Sequence, residues 1–578
     1  MNRPSTLRRP ALAVVHRSLA GSCVGLLLLG CTATPDLFGR SAPDTSEFSA
    51  GPTPPEMEVV TDGRFQEWDR VPTLLVDPAD VPETSAVDLG AVQAAADGRH
   101  LFFTLETRRE VNAQAMRGTI SILLDTDADP ETGTTVEGFP GVDLVVELSR
   151  EDRIDPDGYG SGMALREAMP EGALGERANG SLRDLLVAPT HSADRFEIRL
   201  GRMEEGGGGR SDLEGPAAGV AFIFKAEGVV VDRTEPAVLR LPRLNPGPPG
   251  RWFESFDPRG DLRVVVWNVS SENFRDQPER FARILGALEP DVLLLDEVYG
   301  AVTELELQLF FARPEFGSGR PWEFVLGKSG GRQKTVVASR IGIRPESAME
   351  LLPYPDGALE ALANRFPEAR RLFDLERDRG LASVGAWIDF QGRPILFVPI
   401  DLQSAGYDGS FQDELRILQA RTLREFVAEA LRESDSGPAL VIGGDLNLVG
   451  SRTPLDLLVS GLDGEGDLIP VDSYRLTDRS MATWRNDDQP FSPGRLDFVL
   501  ISGSTLSVDR AFPFEAEEIS ADLLVALGVH QEDSRRTSDH LPLVVDLSIV
   551  EVPERLPPIG RTSRDPAESA GPKSVTHR

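Results

Sequence analysis

The chain contains very few cysteines. Only Cys23 and Cys31 occur among its 578 residues, and both lie near the N-terminus. A disulfide framework is therefore excluded for the rest of the protein, which also has no free thiol. Hydrophobic residues make up 40% of the chain, as is ordinary for a globular protein. Because its length exceeds the usual size of one hydrophobic core, we predict at least two domains.

Basic residues are scarce relative to acidic ones. The chain has 60 Lys and Arg residues against 93 Asp and Glu residues, which gives a formal net charge of −33 at pH 7. Nonspecific binding of nucleic acid relies on basic side chains that neutralise phosphates, so this surface is expected to repel a polyanion. Long DNA or RNA is therefore a disfavoured substrate unless a local basic patch intervenes.

The N-terminal segment has the pattern of a targeting sequence. Several arginines precede an apolar stretch at 19–29, which is too short to span a bilayer but suits a signal peptide. The string Leu28-Leu29-Gly30-Cys31 resembles the bacterial lipoprotein signal. This resemblance implies that Cys31 is acylated as the first mature residue and anchors the exported protein to the bacterial cell envelope, at the outer membrane or cell surface. A plain signal peptide or a short buried helix is the alternative.

Segments rich in proline and glycine divide the rest of the chain. Proline fixes the backbone and glycine loosens it, so such segments mark tethers and boundaries. We predict a signal peptide at 1–30, a flexible tether at 31–56, a first domain at 57–243, a linker at 244–256, a second domain at 257–548 and a disordered tail at 551–578.

The first domain has the pattern of an all-β fold. Short runs rich in β-branched, aromatic and aliphatic residues are separated by Gly, Asp and Pro turns, and they lie at 101–106, 121–124, 142–147, 196–200 and 220–224. This spacing predicts a two-sheet β-sandwich.

An acidic turn lies inside this domain. Asp125, Asp127 and Asp129 occupy alternate positions and are followed by Gly133. Alternating carboxylates with a glycine can wrap a hard cation, so the turn predicts a Ca²⁺ site. A solvated Asp-Pro turn is the alternative.

The acidic turn also belongs to a longer pattern. Together with Asp62-Gly63, Trp68 and the string Gly141-Val142-Asp143, it resembles the sugar-binding β-sandwiches related to family-9 carbohydrate-binding modules. The resemblance implies a glycan ligand without identifying it. A spacer or interaction domain is the alternative.

The second domain alternates strands and helices. Apolar runs at 262–269, 292–295, 384–390 and 395–400 predict buried strands, and helical spacing of apolar residues predicts helices at 278–288 and 413–431. Further buried strands are predicted at 439–442, 498–501 and 541–547. A layered α/β domain follows from this alternation.

Polar side chains stand at the ends of these strands. In chain order they are Asn268, Glu297, Asp445, Asn447, Asp497, Asp539 and His540. Hydrolysis of a phosphate ester needs a cation, a group that orients water, donors for the developing charge and help for the leaving oxygen, and this set can supply all four. Because all ligands except one histidine are oxygens, the set favours Mg²⁺ or Mn²⁺ over Zn²⁺.

The order of five strings carries a specific resemblance. Trp-Asn, Asp-Glu-Val, Gly-Asp-x-Asn, Arg-x-Asp-Phe and Ser-Asp-His occur in that order, as they do in the endonuclease/exonuclease/phosphatase superfamily, which includes deoxyribonuclease I-like nucleases, sphingomyelinases and inositol phosphatases. The resemblance covers about half of the chain. It implies an α/β four-layer sandwich, in which two central β-sheets are flanked by helices, preceded here by the all-β sandwich domain.

The resemblance also implies roles for the matching residues. Glu297 holds the metal, with Asn268 and Asp539 near it. Asp445 orients the attacking water, and Asn447 hydrogen-bonds the phosphate. His540 contacts the phosphate or acts as an acid, and Asp497 orients its ring, unless Asp497 only pairs with Arg495. Trp484 matches a family segment and is interpreted as wall or core.

One position departs from the family pattern. After the strand at 395–400, many members place a histidine that contacts the phosphate, whereas this chain has Asp401. A carboxylate repels phosphate unless it binds a second cation or is protonated. Only His530 and His540 fall inside the domain, so no second histidine is an evident replacement.

Two classes of function follow. The first is an envelope-anchored, metal-dependent phosphoesterase acting on a phosphodiester or phosphomonoester in nucleic acid, nucleotide, phospholipid head or sugar phosphate. The second is a catalytically impaired family member that acts as a binding or scaffold lipoprotein. The sequence leaves the substrate, the oligomeric state and the membrane face open.

Overall fold

A computed structural model describes residues 55–550, except 58, 114–115, 149–162, 170–172, 177, 205–208, 210, 246–258, 318, 435–436, 465, 478–479, 487–488 and 490. The predicted signal peptide with Cys31, nearly all of the tether, most of the linker and the tail lie outside the described residues. The divisions of the chain predicted above therefore stay predictions. All described residues fall within one unit of the chain, 44–578. No helix in this described part is long and apolar enough to cross a membrane.

The N-terminal half is built from strands. They are β1 (Thr73–Val76), β2 (Ala91–Ala96), β3 (His100–Val111), β4 (Thr119–Asp125), β5 (Thr134–Val136), β6 (Phe139–Val142), β7 (Leu144–Leu148), β8 (Met163–Glu167), β9 (Ala178–Asn179), β10 (Leu186–Ala188), β11 (Ala193–Gly201), β12 (Ala217–Ala226), β13 (Val229–Arg233) and β14 (Ala237–Arg240). One sheet has the order β1-β2-β3-β11-β10, and the other has the order β13-β12-β4-β7-β8-β9 with β14 also paired to β12.

These two sheets pack face to face. Leu101, Phe103 and Leu105 on alternate positions of β3 enter the core between the sheets, whereas Phe102 faces the other side. Such alternation is what a strand buried on one main face requires. The rings of Phe103 and Phe222 meet edge to face, with centroids 5.5 Å apart. The predicted β-sandwich is therefore confirmed.

The C-terminal half alternates strands and helices. The strands are β15 (Leu262–Ser271), β16 (Val292–Tyr299), β17 (Glu323–Leu326), β18 (Gln333–Ser339), β19 (Arg344–Pro345), β20 (Ala386–Phe390), β21 (Arg393–Asp401), β22 (Ala439–Asp445), β23 (Ile469–Pro470), β24 (Asp497–Ile501), β25 (Leu506–Pro513) and β26 (Leu543–Ile549). The helices are α1 (Glu272–Asp276), α2 (Pro278–Leu288), α3 (Glu304–Phe311), α4 (Ala358–Arg365), α5 (Arg370–Arg379), α6 (Phe411–Glu433), α7 (Thr453–Val459), α8 (Ala521–Leu527) and α9 (Asp533–Thr537).

Two mixed six-stranded sheets form the centre of this half, with the orders β17-β18-β16-β15-β26-β25 and β19-β20-β21-β22-β24-β23. Their facing sides share one apolar core. Helices including α2 and α3 cover the outside of the first sheet, and helices including α6 and α7 cover the outside of the second. The predicted arrangement of two central sheets flanked by helices is confirmed.

Helix α2 shows how the sequence sets these elements. Pro278 occupies its first turn, where the missing N–H costs no hydrogen bond. Phe281, Ile284, Leu285 and Leu288 form its buried face. The helix ends where Glu289 adopts a left-handed conformation, directly before a proline. Its observed bounds are those predicted from the sequence.

Alternation along the central strands decides where their polar ends point. Leu262, Val264 and Val266 of β15 face the core between the sheets, so Asn268 at the next alternate position faces the same gap. The same parity applies to Asp296 in β16, Asp401 in β21, Asp445 in β22 and Asp497 in β24. The polar ends of five strands therefore converge between the two sheets.

Several of these residues lie inside strands, although the sequence predicted them beyond strand ends. The run at 439–442 extends to Asp445, because Gly443 and Gly444 continue the ladder. A Cβ at Gly443 would lie 2.7 Å from Cγ2 of Val266 in the facing sheet. Glycine at this position thus lets the two sheets approach closely beneath the site.

Candidate active site

Asp445, Asp497 and His540 form the centre of the polar cluster. Their ligand atoms lie within 4.8 Å of one another. Nδ1 of His540 is 2.8 Å from Oδ2 of Asp497, and Nε2 is 3.7 Å from Oδ2 of Asp445. The imidazole therefore stands between two carboxylates, and one ring nitrogen is committed to Asp497.

The main chain of His540 is fixed by neighbouring side chains. Its N–H donates to Oγ of Ser538 at 3.0 Å, and that hydroxyl donates to the carbonyl of Asn268 at 2.8 Å. The indole N–H of Trp267 donates to the carbonyl of His540 at 2.9 Å. Ser538 and Trp267 thus hold the Ser-Asp-His string against strand β15.

Thr483 anchors Asp497. Its hydroxyl donates to Oδ2 of Asp497 at 2.6 Å and accepts the N–H groups of Leu496 and Asp497. Oδ1 of Asp497 is buried without a hydrogen-bond partner. Arg495 does not take this carboxylate, because its Nη2 donates instead to the carbonyl of Val471 at 2.9 Å. Sequence reasoning assigned no role to Thr483, although the string Ala-Thr-Trp was the available signal.

Two amides hold Asp445. Nδ2 of Asn447 donates to Oδ2 of Asp445 at 2.8 Å and to the carbonyl of Leu402 at 2.9 Å. Nδ2 of Asn268 lies 3.4 Å from the same oxygen of Asp445, while Oδ1 of Asn268 accepts the N–H of Ser270. In this arrangement both asparagines position Asp445. The predicted hydrogen bond from Asn447 to a phosphate requires the release of one of its two present bonds.

Glu297 reaches the site through an irregularity in β16. The residue has a φ of 51°, and the pairing of β16 with β18 shifts between Leu295 and Val298. Such a bulge redirects a side chain, and a left-handed non-glycine residue is strained. Glu297 lines a cavity of about 420 Å³ together with Asp445, Asn447, Asp539 and His540.

Asp539 and Trp484 form another part of the cavity wall. The indole N–H of Trp484 donates to Oδ2 of Asp539 at 3.1 Å. Both residues also line a second cavity of about 390 Å³. Trp484 is thus a wall residue that orients a predicted metal ligand.

Two further carboxylates, those of Asp296 and Asp401, belong to strands on opposite sides of the gap between the sheets. Asp296 is fully buried, and neither of its carboxylate oxygens has a hydrogen-bond partner. Asp401 is half-buried at the end of β21 and lies in register with Asp445. Asp401 stands out in the sequence as a departure from the family pattern, whereas Asp296 has only its parity with Val292 and Leu294 to mark it and received no role.

This crowding of carboxylates shifts proton affinities. Burial, with the charge of Asp497, raises the pKa of Asp445 to about 8. Burial and then the charge of Asp401 raise the pKa of Asp296 well above its usual value. Burial alone lowers the pKa of His540, but the carboxylates of Asp497 and Asp445 outweigh it and raise that pKa well above its usual value. The site therefore concentrates negative charge that a cation can neutralise.

The acidic turn of the β-sandwich forms a separate cluster. Asp125, Asp127 and Asp143 bring carboxylate oxygens within 4.8 Å of one another. Burial, followed by the neighbouring Asp127, raises the pKa of Asp125 to about 7. Asp129 stands outside this group, and its Oδ1 accepts the N–H of Glu131 at 3.0 Å. Asp143 takes the third place that the sequence analysis gave to Asp129.

The other residues of the carbohydrate-module pattern have structural partners. Glu197 accepts the N–H groups of Asp62 and Gly63 at 2.9 and 2.7 Å and the indole N–H of Trp68 at 2.7 Å. Only 1% of Trp68 is exposed. A buried indole cannot serve as a stacking platform for a sugar, so Trp68 is a core residue.

Several solved structures are similar to about half of this chain. The chain is similar to the human Nocturnin catalytic domain with bound sulfate anion (16% identity, 52% of this chain, 100% of that chain, TM-score 0.34). It is also similar to an AP endonuclease from Archaeoglobus fulgidus (15% identity, 49% of this chain, 98% of that chain, TM-score 0.30). Humanized D. rerio TDP2 gives 16% identity over 50% of this chain and 98% of that chain, with a TM-score of 0.32.

No curated protein sequence matches the chain significantly. Residues 265–540 match the sequence profile described as the Endonuclease/Exonuclease/phosphatase family. This span contains all the polar strand ends described above, from Asn268 to His540. Residues 265–540 of the chain are therefore similar to the endonuclease/exonuclease/phosphatase family.

Proposed function

We propose that the protein is a divalent-metal-dependent phosphoesterase that hydrolyses a phosphodiester or phosphomonoester. The observation that carries this proposal is the placement of His540 between Asp497 and Asp445, at 2.8 and 3.7 Å, in a cavity that Glu297 also lines. Family domains of this kind are typically metal-dependent phosphoesterases, which supports the same reaction class.

The residues present fit a divalent cation. The donors at the cavity are carboxylate and amide oxygens, which Mg²⁺ and Mn²⁺ prefer. Asp296 and Asp497 have buried carboxylate oxygens without hydrogen-bond partners, which leaves acceptors that the protein itself does not satisfy. Glu297 and Asp539 would hold the metal near Asn268. When bound, the cation neutralises phosphate oxygens and the charge that develops on them.

The remaining site residues transfer protons or orient the groups that do so. Asp445, held by Asn447 and Asn268, accepts a proton from the attacking water. His540 donates a proton or hydrogen bond from Nε2, because Nδ1 is engaged by Asp497. Asp497 fixes the ring orientation and stabilises the imidazolium. Thr483 in turn fixes Asp497.

A substrate screen tests this proposal. Nucleic acid, nucleotide, phospholipid and sugar phosphate substrates are incubated with and without Mg²⁺ or Mn²⁺, and phosphate ester cleavage is measured. We expect turnover of at least one class that EDTA abolishes and added Mg²⁺ restores. Metal-independent turnover, or none with any class, contradicts the proposal.

A binding or scaffold lipoprotein is the second candidate. Asp401 occupies the position where many family members place a phosphate-contacting histidine, and the charges of Glu297 and Asp445 act on its carboxylate. Carboxylates there repel a phosphate unless a cation or proton intervenes. This candidate predicts ligand binding without turnover, and robust metal-dependent turnover contradicts it.

We also propose that the exported protein is anchored to the bacterial envelope by a lipid on Cys31. The lipoprotein-like string around Cys31 supports this location. A tethered enzyme would meet extracellular nucleotides, nucleic acid, phospholipid heads and sugar phosphates. Metabolic labelling with a radioactive fatty acid tests the anchor, and a Cys31→Ala chain that retains the label contradicts it.

We further propose that the acidic turn of the β-sandwich binds Ca²⁺ through Asp125, Asp127 and Asp143. We also propose that this domain binds a glycan, whose identity the sequence leaves open. Because the folded pKa of Asp125 is raised to about 7 from 3.8, the folded protein binds a proton more tightly between these values. Without the cation, stability therefore falls as pH rises through this window. Calcium requires the deprotonated carboxylate, so its affinity falls as pH drops below 7.

The raised pKa of Asp125 predicts a pH-dependent effect of Ca²⁺ on the melting temperature. Saturating Ca²⁺ at about a hundred times its Kd should stabilise the folded protein by about 2.7 kcal/mol at alkaline pH and far less at acidic pH. Melting temperatures with and without Ca²⁺ measure the effect. Asp127→Asn should remove it, whereas Glu131→Gln removes an equal charge from the same turn and should retain it. An equal Ca²⁺-induced rise in melting temperature at alkaline and acidic pH contradicts the proposed Ca²⁺ site.

A further inference from the structure

Three successive main-chain carbonyls beside Asn447 accept hydrogen bonds from the β-sandwich. Oγ1 of Thr190 donates to the carbonyl of Leu448 at 2.7 Å, and Nδ2 of Asn112 donates to that of Val449. The N–H of Ser192 donates to the carbonyl of Gly450 at 2.8 Å. Donors to three consecutive carbonyls fix the path of this segment more tightly than any single contact could.

The segment with these three carbonyls, 448–450, directly follows the site residue Asn447. Asn447 has a φ of 48°, a left-handed conformation that a non-glycine residue adopts only when its surroundings impose it. Its amide nitrogen Nδ2 holds Asp445 at 2.8 Å. A shift of the following residues, Leu448 and Val449, would therefore move both Asn447 and the carboxylate that it positions.

A second contact fixes the orientation of the sandwich. The guanidinium of Arg64 forms two hydrogen bonds with the carboxylate of Asp472, at 2.6 and 2.5 Å. Both side chains are partly exposed, at 41% and 35%, so the pair contributes modestly to stability. Its two-point geometry nevertheless restricts rotation of the sandwich against the catalytic half.

The sandwich also forms part of the cavity wall. Thr190, in the loop between β10 and β11, lines the cavity of about 420 Å³ that contains Glu297 and His540. A Cβ at Gly494 would lie 2.6 Å from Cγ2 of Thr190, so the loop closes tightly on this side. The second cavity, beyond Trp484, is lined by described residues of the catalytic half alone.

We propose that the β-sandwich is a structural part of the catalytic pocket, where it positions Asn447 and closes one side of the substrate site. Such a pocket takes a phosphate ester in a small molecule or at a chain end. An interior phosphodiester of a continuous duplex needs space on both sides of the scissile phosphate. This inference rests on the proposed function and deepens it. A volume of about 420 Å³ suits one small ligand, and the net charge of −33 also disfavours a duplex.

Variants of the full chain at Thr190 test the positioning role. Thr190→Val keeps the shape and removes the donor to Leu448, whereas Thr190→Ser keeps the donor. We expect Thr190→Val to lower kcat on bis(p-nitrophenyl) phosphate about fivefold with KM nearly unchanged, because one hydrogen bond corresponds to about this factor. Thr190→Ser should restore most of kcat.

A matched control separates this role from general destabilisation. Thr234 is a buried threonine that follows β13 in the other sheet of the same sandwich, and its hydroxyl accepts the N–H of Phe222 at 3.1 Å. Thr234→Val removes a side-chain to main-chain hydrogen bond outside the cavity wall and should leave kcat unchanged. Equal kcat losses in the variants at Thr190 and Thr234, or no loss in either, overturn the positioning role.

The proposal that the β-sandwich closes one side of the substrate site is tested with wild-type protein and two substrates. We expect kcat/KM on a dinucleotide, which has the same leaving group as DNA, to exceed that on closed circular duplex DNA, per phosphodiester, by at least about a hundredfold. Comparable efficiency on both substrates overturns the closed pocket but leaves the proposed phosphoesterase function standing. Failure to hydrolyse any phosphate ester with Mg²⁺ or Mn²⁺ overturns the proposed function and this inference with it.

Discussion

Replacing His540 with alanine is expected to lower kcat on a model phosphodiester about a thousandfold, the middle of the range for loss of a positioned acid or base. Only 8% of the His540 side chain is exposed, and its Nδ1 is held 2.8 Å from Asp497. Water cannot easily reproduce a donor fixed in this way. The measurement is steady-state kcat with saturating Mg²⁺.

A second histidine provides the control. His530 is exposed and lies in the same domain, so His530→Ala should change kcat by less than about twofold. Asp497→Asn should produce an intermediate loss, because it removes the charge that orients His540 and raises its pKa. Activity of His540→Ala equal to that of His530→Ala would remove His540 from the mechanism.

Replacing Asp546 with alanine is expected to destabilise the catalytic half by about 3–5 kcal/mol, the usual effect of removing one partner of a buried ion pair. Asp546 in β26 is fully buried, and Arg263 in β15 is 3% exposed. Nε and Nη2 of Arg263 donate to the two oxygens of Asp546 at 2.7 and 2.9 Å. The substitution leaves a buried guanidinium without its counter-charge. Urea unfolding measures the effect.

Two control variants test whether the loss of stability in Asp546→Ala comes from the buried charge. The double variant Arg263→Met/Asp546→Leu should recover most of the lost stability, because an apolar pair of similar volume needs no counter-charge. Asp374 and Arg377 form an exposed pair on α5 at 2.9 Å, so Asp374→Ala should cost less than about 1 kcal/mol. An equal effect at Asp546 and Asp374 would show that burial of the ion pair is unimportant here.

The sequence predicted the architecture well where the local physical signals agreed. Helix α2 has an apolar stripe, a proline at its start and a proline after its end, and all three signals agree. The runs that form β15, β21 and β24 are almost wholly apolar, because these strands are buried on both faces. Such runs identify buried strands, but not their order or partners in the two sheets.

Strand ends were predicted less accurately. At β22, the predicted run ended at residue 442, yet Gly443 and Gly444 continue the strand to Asp445. Glycine is needed at position 443 because the facing Val266 leaves no room for a side chain. At β26, the run predicted from Leu541 begins pairing at Leu543, since the preceding residues serve the site. Glycine marks close approach as readily as a turn, and sequence alone does not distinguish the two.

The site residues were accessible from sequence only where a string matched the family. Asp296 went unnoticed beside Glu297, although the alternation of β16 places it between the sheets. Thr483 was equally hidden, because its role comes from Asp497, which lies 14 positions away in sequence. The hydrogen bonds from Thr190 and Asn112 to the segment after Asn447 span 258 and 337 positions. No local pattern encodes contacts of that range.

The three carbonyls held beside Asn447 also limit which hybrid proteins can be made by exchanging the β-sandwich. A hybrid in which another β-sandwich replaces this one could retain every residue of the family strings and still lose the three donors to Leu448, Val449 and Gly450. The two halves resemble interchangeable modules in sequence, but their junction is specific to this pair. Gene fusions should therefore exchange the two halves together, with the loop between β10 and β11 kept opposite its own partner segment.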